Sequence, residues 1–210
     1  MRLDGDEMAA DADDGDAGHA TGTYISPRSP PTVCLYGSSM TMTAADVVEI
    51  LGWLGAAGAD VWLDGGWGVD ALVGEQTREH EDLDLIVRDA HVSRMREVLA
   101  THGFAQVQGG VPQSFILADE RGREVDVHPV RFDNKGGGHL LSADGEPFGH
   151  SNEAFAATGS VSGYRVACLS AEGQMSNHSW GYTPGDTDIH DMRLLHDRLG
   201  TSLLGPYMNG

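Results

Sequence analysis

The chain has 210 residues, 13 of them basic and 32 acidic, for a formal charge of −19; this is long enough for one compact domain with a real core but lacks the positive footprint that phosphate-backbone binding requires. Nucleic acid is therefore not expected as a partner, whereas a cationic ligand would be steered favourably by such a field. Cys34 and Cys168 are the only cysteines, too few for a disulfide framework or a thiolate zinc site, and no leader-like or membrane-length apolar run is present, so a soluble cytoplasmic protein is expected.

Residues 1–40 are dominated by Asp, Gly, Ala, Ser and Pro. With too little periodic apolar content to offset the entropy of ordering, they read as a disordered acidic tail. Thr43 with Asp46 three residues on makes an N-terminal capping pair, and Val47, Val48, Leu51 and Leu54 follow at helical spacing, which predicts a helix over 44–56. Val61-Trp62-Leu63 reads as a short strand, Gly65-Gly66 as a turn, and Val69 to Val73 as a helical turn that Gly74 ends. Asp82 to Val87 is a second strand. Asp89 then caps a helix with Val92, Met95, Val98 and Leu99 on one face and Gly103 at its end. Within "SFILADERGREVDVHPV" two strand-like runs flank Asp119-Glu120-Arg121-Gly122 and predict a hairpin. Its second arm puts Val125 and Val127 on one face and Glu124, Asp126 and His128 on the other. The glycine-rich stretch 131–163 reads as a long irregular loop, 164–169 as a further strand, and 186–199 as a closing helix with Gly200 after it. The expected domain spans 43–200, followed by a tail over 201–210.

The Asp-x-Asp pattern by itself carries little information, because Asp4/Asp6, Asp14/Asp16 and Asp186/Asp188 repeat it in tail or helix-cap settings. Asp82 and Asp84 differ in lying on a strand, where residues two apart project from one face while Leu83 and Leu85 point to the core. Two carboxylates about 7 Å apart on one face repel each other, and a cation would compensate. Hard oxygen ligands so presented suit Mg²⁺, which takes one or two carboxylates plus substrate phosphates. Asp126, on another alternating strand, is the candidate third carboxylate.

Gly65 and Gly66 supply a complementary feature, because a triphosphate needs backbone N–H groups brought close, and a helix start just beyond adds a favourable dipole. A tight structural turn is the plainer reading of the same pair. Lys135 is the only lysine, and no Gly-Lys-Ser/Thr occurs, so there is no P-loop. Arg78 is the candidate cation beside a triphosphate. Among the histidines, His128 shares a strand face with Asp126 and is a candidate proton shuttle; His128 and His178 are taken as candidates for the acceptor pocket. Trp62 and Trp67 are assigned to core packing.

A glycine pair after one strand, Asp-x-Asp on the next and a third Asp on a later one resemble the nucleotidyltransferase superfamily that includes DNA polymerase beta. More closely, "WLDGGWGVDALVGEQTREHEDLDL" resembles the lincosamide nucleotidyltransferases and the aminoglycoside 2''-adenylyltransferases. The likeness continues through "VDVHPV" to "RVACLSAEGQMSNHSWGYTPGDTDIHDMRLL" and covers residues 43–199. It implies an α+β nucleotidyltransferase fold, a small mixed or antiparallel sheet with helices packed on it and a short C-terminal helical segment. It also implies Mg²⁺-dependent transfer of a nucleoside monophosphate, AMP from ATP, to a hydroxyl of a small antibiotic, with release of pyrophosphate. A lincosamide is the first expectation for the acceptor, an aminoglycoside the second, and a partner protein of toxin–antitoxin type the alternative from a different class. By the same resemblance Gly65 and Gly66 serve the triphosphate, Asp82 and Asp84 are metal ligands, and Asp126 is third ligand, base or both. The chain departs from the family pattern at Asn177, where an apolar or aromatic residue precedes the histidine, and over 136–163, which matches no family pattern.

Overall fold

The computed structural model describes residues 41–141, 147–179 and 183–209; the acidic tail expected over 1–40 lies outside them. Helix α1 (Ala44–Ala56) opens on the capping box read from the sequence. Thr43 Oγ1 accepts from the Asp46 amide and the Asp46 carboxylate accepts from the Thr43 amide, each at 3.2 Å. Two donors that a helix start leaves open are thereby satisfied locally. Along α1, Val47, Ile50, Leu51 and Leu54 form the buried stripe that their helical spacing dictates.

There follow β1 (Val61–Leu63), α2 (Gly65–Val73), β2 (Asp82–Arg88), α3 (Val92–Thr101), β3 (Ala105–Gly109), β4 (Phe115–Ala118) and β5 (Glu124–Phe132). The strands assemble in the order β1-β2-β5-β4-β3, with β2 and β5 parallel and the other neighbours antiparallel. This is the mixed sheet of the expected α+β class. Strands β6 (Gly138–Leu141) and β7 (Pro147–His150) extend it from the end of β5. A separate hairpin of β8 (Thr158–Val161) and β9 (Tyr164–Ala167) leads to α4 (Ala171–His178) and α5 (Asp186–Leu199).

Side-chain alternation decides the use of the two sheet faces. Leu83, Leu85, Val87, Val125 and Val127 are fully buried, in one cluster with Val47, Ile50 and Leu54 of α1 and Met95 and Leu99 of α3. Each such residue contributes about 1.5–3 kcal/mol by burial, so a one-residue slip of β2 or β5, which would expose the whole set, is strongly disfavoured. The opposite face carries Asp84 and Ile86 on β2 and Asp126, His128 and Val130 on β5. There Ile86 and Val130 join a smaller apolar cluster with Leu169, Trp62 and Phe155. The core thus fixes which way the acids point.

Several predicted boundaries are revised. Gly65 and Gly66 are not a turn ahead of a helix but the first turn of α2 itself, with Gly65 at φ +56°. The stretch read as one irregular loop contains β6, β7, a short 3-10 turn (Asn152–Phe155) and β8. Its strands are four residues long and glycine-containing, too short to show alternation. Strand β3 was not anticipated because all five of its residues are exposed at the sheet edge. Helix α4 contains Gly173, Ser176 and Asn177, poor helix formers; it is held by the Ser170 cap, whose Oγ accepts from the Gly173 amide at 3.2 Å, and by Ala171 and Met175 packed with Val69 of α2 and Met192 and Leu195 of α5. Past α5, Tyr207 is buried and its hydroxyl donates to the His178 carbonyl at 2.7 Å.

Candidate active site

The parallel pairing of β2 and β5 sets Asp84 opposite Asp126 and Ile86 opposite His128. Three polar side chains, each between a quarter and a third exposed, therefore meet on the face away from α1 and α3. His128 Nε2 lies 3.9 Å from Asp84 Oδ1 and 3.7 Å from Asp126 Oδ1. One ligand atom from each of the three falls within 4.8 Å of the others. Asp82 stands two residues earlier on the same strand, exposed and opposite Glu124. Among the described residues it is not in the cluster of three; its charge acts instead on Arg78. The expected trio of Asp82, Asp84 and Asp126 is thus brought together only as Asp84 and Asp126, with His128 as the third member.

Burial raises the Asp126 pKa, and the charges of Asp84 and Asp64 push it the same way against the pull of His128. Burial opposes charging of His128, but the Asp126, Asp84 and Asp64 carboxylates outweigh it and lift the imidazole to about 10. The site is one in which crowded acids require positive charge nearby. Asp126 Oδ1 is buried without a hydrogen-bond partner among the described residues. Two converging carboxylates, one of them with an unsatisfied oxygen, fit a divalent cation, which would supply the positive charge that His128 otherwise provides.

The glycine pair serves this arrangement directly. A Cβ on Gly65 would collide with the Asp84 carboxylate, and one on Gly66 with Arg78 Nη2 and His80 Nδ1. Lacking side chains, the start of α2 lets Asp84 and Arg78 lie against its backbone, where the positive end of the helix dipole faces the acids. Arg78 is bidentate to the buried Asp191 of α5, Nε to Oδ1 at 3.0 Å and Nη2 to Oδ2 at 2.6 Å. That pairing raises its already high pKa and anchors the guanidinium beside Gly66. His80 is paired with Asp70. At the end of α4, His178 Nδ1 is 3.1 Å from Asp188 Oδ1; burial opposes its charging, but Asp188, Asp64 and Asp84 together raise its pKa.

Three residues outside the expected set of site residues also converge here. Asp64, at the end of β1, accepts from Asn177 Nδ2 at 2.7 Å, and Asn177 Oδ1 in turn takes a hydrogen bond from His150 Nε2 at 2.8 Å. Asn177, the departure from the family pattern, is accordingly a two-sided hydrogen-bond bridge, which an apolar residue could not be. Asp64 carried a signal, an acid between a strand and a glycine pair. Asn177 stood out only as a departure from the family pattern, with no sign of its partners, and His150 carried no signal, since those partners are distant in the chain.

Residues 46–195 match the aminoglycoside-2''-adenylyltransferase family. The chain belongs to that family. A lincosamide resistance protein of Staphylococcus haemolyticus is 32% identical over 134 residues, 64% of this chain and 82% of the relative. Among solved structures, the lincomycin-bound lincosamide adenylyltransferase LnuA superposes with a TM-score of 0.66 at 28% identity, covering 74% of this chain and 98% of its own. The complex of ANT(2'')-Ia with adenylyl-2''-tobramycin gives 0.61 at 19% identity, over 75% and 89% of the two chains, and bears on the fold alone. As a member of the 2''-adenylyltransferase family the chain is a nucleotidyltransferase, and the matched span runs from the first turn of α1 through β2, β5 and α4 into α5.

Proposed function

We propose that the protein transfers AMP from ATP to a hydroxyl of a small antibiotic, a lincosamide before an aminoglycoside, in the cytoplasm and with Mg²⁺. The observation that carries this reading is the meeting of Asp84 and Asp126 on one sheet face beside the side-chain-free start of α2. Asp84 and Asp126 would hold the cation, with Asp82 one step outward on the same face. When bound, such a cation stabilises charge on the phosphate oxygens and on the attacking and leaving oxygens. Gly65 and Gly66 would offer backbone N–H groups to the triphosphate at the helix start, and Arg78, pinned by Asp191, would add a fixed positive charge there. His128 and His178 would line the approach of the acceptor.

An acceptor hydroxyl is a poor nucleophile at neutral pH, and Asp126 is the group to take its proton. Asp126 lies opposite Asp84 on the same sheet face, so a carboxylate stands next to where the cation and the acceptor would meet. The hydroxyl oxygen forms a bond to the α-phosphorus, the bond from that phosphorus to the bridging oxygen breaks, pyrophosphate leaves, and the proton passes to Asp126. Mass spectrometry of a lincosamide and aminoglycoside panel incubated with mixed nucleoside triphosphates and Mg²⁺ tests the reading. One added AMP mass on a lincosamide is expected. An adduct on an aminoglycoside selects the second acceptor, which the −19 charge would favour by steering a polycation; no adduct on either defeats both.

A further inference from the structure

Asp64 has no role in the reaction as described above, yet it stands beside the residues that do. Its amide donates to the Asp84 carbonyl at 3.1 Å, continuing the β1–β2 ladder one step beyond the pair of Leu63 and Leu85. Asp84 is opposite Asp126 on the next strand. Asp64, Asp84 and Asp126 therefore form one row across three adjacent strands, where same-face neighbours stand about 5 Å apart.

The Asp64 side chain is held and incomplete at once. The residue is only 7% exposed. Its Oδ2 is fixed by Asn177, which His150 holds from the other side, while Oδ1 is buried with no hydrogen-bond partner among the described residues. Leaving a buried acceptor unpaired carries a desolvation penalty that is removed when a donor arrives. The Asp64 charge reaches Asp126 and His128, so the carboxylate is close to the cluster. It offers no atom to the group of three that lie within 4.8 Å of one another.

We propose that Asp64 is a positioning residue of the cation site. Its Oδ1 accepts a hydrogen bond from water in the shell of a divalent cation held by Asp84 and Asp126, and the Asn177–His150 pair fixes it for that purpose. The inference rests on the divalent-cation reading of Asp84 and Asp126. Partners of this kind commonly contribute 10–100-fold in metal affinity.

The test is Mn²⁺ titration of the full chain without nucleotide, read by the spin resonance of free Mn²⁺, with water-proton relaxation counting waters on the bound ion. Asp64→Asn, which keeps the shape and removes the charge, is expected to weaken binding by roughly 10–100-fold with the number of bound waters unchanged. Asn177→Ala, which leaves Asp64 in place but unheld, is expected to weaken binding several-fold; it decides the matter if Asp64→Asn does not fold. Unchanged affinity in the folded variants overturns the proposal, as does a gain of one bound water in Asp64→Asn, which would make Asp64 a direct ligand. Asp84→Asn separates the two levels. If it leaves Mn²⁺ binding intact, the cation reading itself fails, whereas if it abolishes binding and Asp64→Asn binds normally, only the role of Asp64 is lost.

Discussion

A methyl group at Gly65 would enter the space of the Asp84 carboxylate, and the φ of +56° there lies where L side chains are strained. Gly65→Ala is therefore expected to move Asp84 and reduce kcat by roughly 100-fold, the scale of losing one well-placed electrostatic group. Steady-state kinetics beside a thermal melt checks this, and a variant that turns over normally would show that Asp84 need not lie against the helix start. Asp84→Asn is expected to lose at least about 100-fold in kcat/KM while its melting temperature stays close to the parent, because the side chain is 26% exposed and packs no core. At this scale the sequence was informative where alternation governs. Leu83 and Leu85 inward imply Asp84 outward, and Val125 and Val127 do the same for Asp126. It marked Asn177 as a departure from the family pattern but could not show its partner Asp64, 113 residues away, and it did not show that His128 lies beside both Asp84 and Asp126.

Among the elements, the β4–β5 hairpin and α1 are joined by one buried cation. Arg123 is 4% exposed and pairs with Asp119, with Asp46 at 3.1 Å and with Glu49 at 3.0 Å. Its guanidinium also lies over the rings of Trp53 and Phe104. Arg123→Ala would leave the buried Asp119 without its counter-charge, and the expected loss is about 3–5 kcal/mol of unfolding free energy, measured by urea titration. A second prediction concerns the joint between β7 and α4. Burial holds the His150 pKa below its ordinary value, only partly offset by the bond to Asn177 and the charge of Asp64. The unfolded chain then binds the proton more readily, so stability is full above the ordinary histidine value of about 6.5 and is lost as the pH falls below it. His150 lowers the urea midpoint between pH 7.5 and 5.5 against the opposite pull of His128 and His178, whose raised pKa values add stability as the pH falls. The midpoint of His150→Gln is therefore expected to gain on that of the parent over this interval; an unchanged difference between the two would exclude His150 as a source. Elements with caps and sustained periodicity, α1 and α5, were legible to the residue. Helix α4 was not, because its stability comes from packing against α2 and α5 and from the Ser170 cap, with little contribution from its own propensities.

For the whole molecule, the excess of 32 acidic over 13 basic residues sets a long-range field whose reach is governed by salt. The screening length shrinks from about 30 Å at 0.01 M to about 8 Å at 0.15 M salt. If an aminoglycoside bearing several ammonium groups is an acceptor, its kcat/KM is expected to fall several-fold over that range, and that of a singly charged lincosamide by less than about 2-fold. Equal salt dependence for the two would mean that the field plays no part in capture. The fold class was legible because its signals are cumulative, strand and helix patterns alternating along the chain. The order of the strands was not, since pairing β2 with β5 spans β3, β4 and α3 and depends on their joint packing.

That parallel pairing ties two kinds of natural selection together. A deletion or duplication of one codon within β5 would turn Asp126 toward the helices and Val125 or Val127 to the opposite face, so a lineage that loses the proposed reacting geometry also acquires a sticky, poorly folding product. Length changes in these two strands are thus removed twice over, once through loss of the proposed activity and once by the cell's proteases. Variation among descendants should gather instead at exposed positions of the connections between β5 and α4, away from His150 and from Phe155, Val161 and Val166, which belong to the Asp64 hydrogen-bond chain or to the apolar clusters.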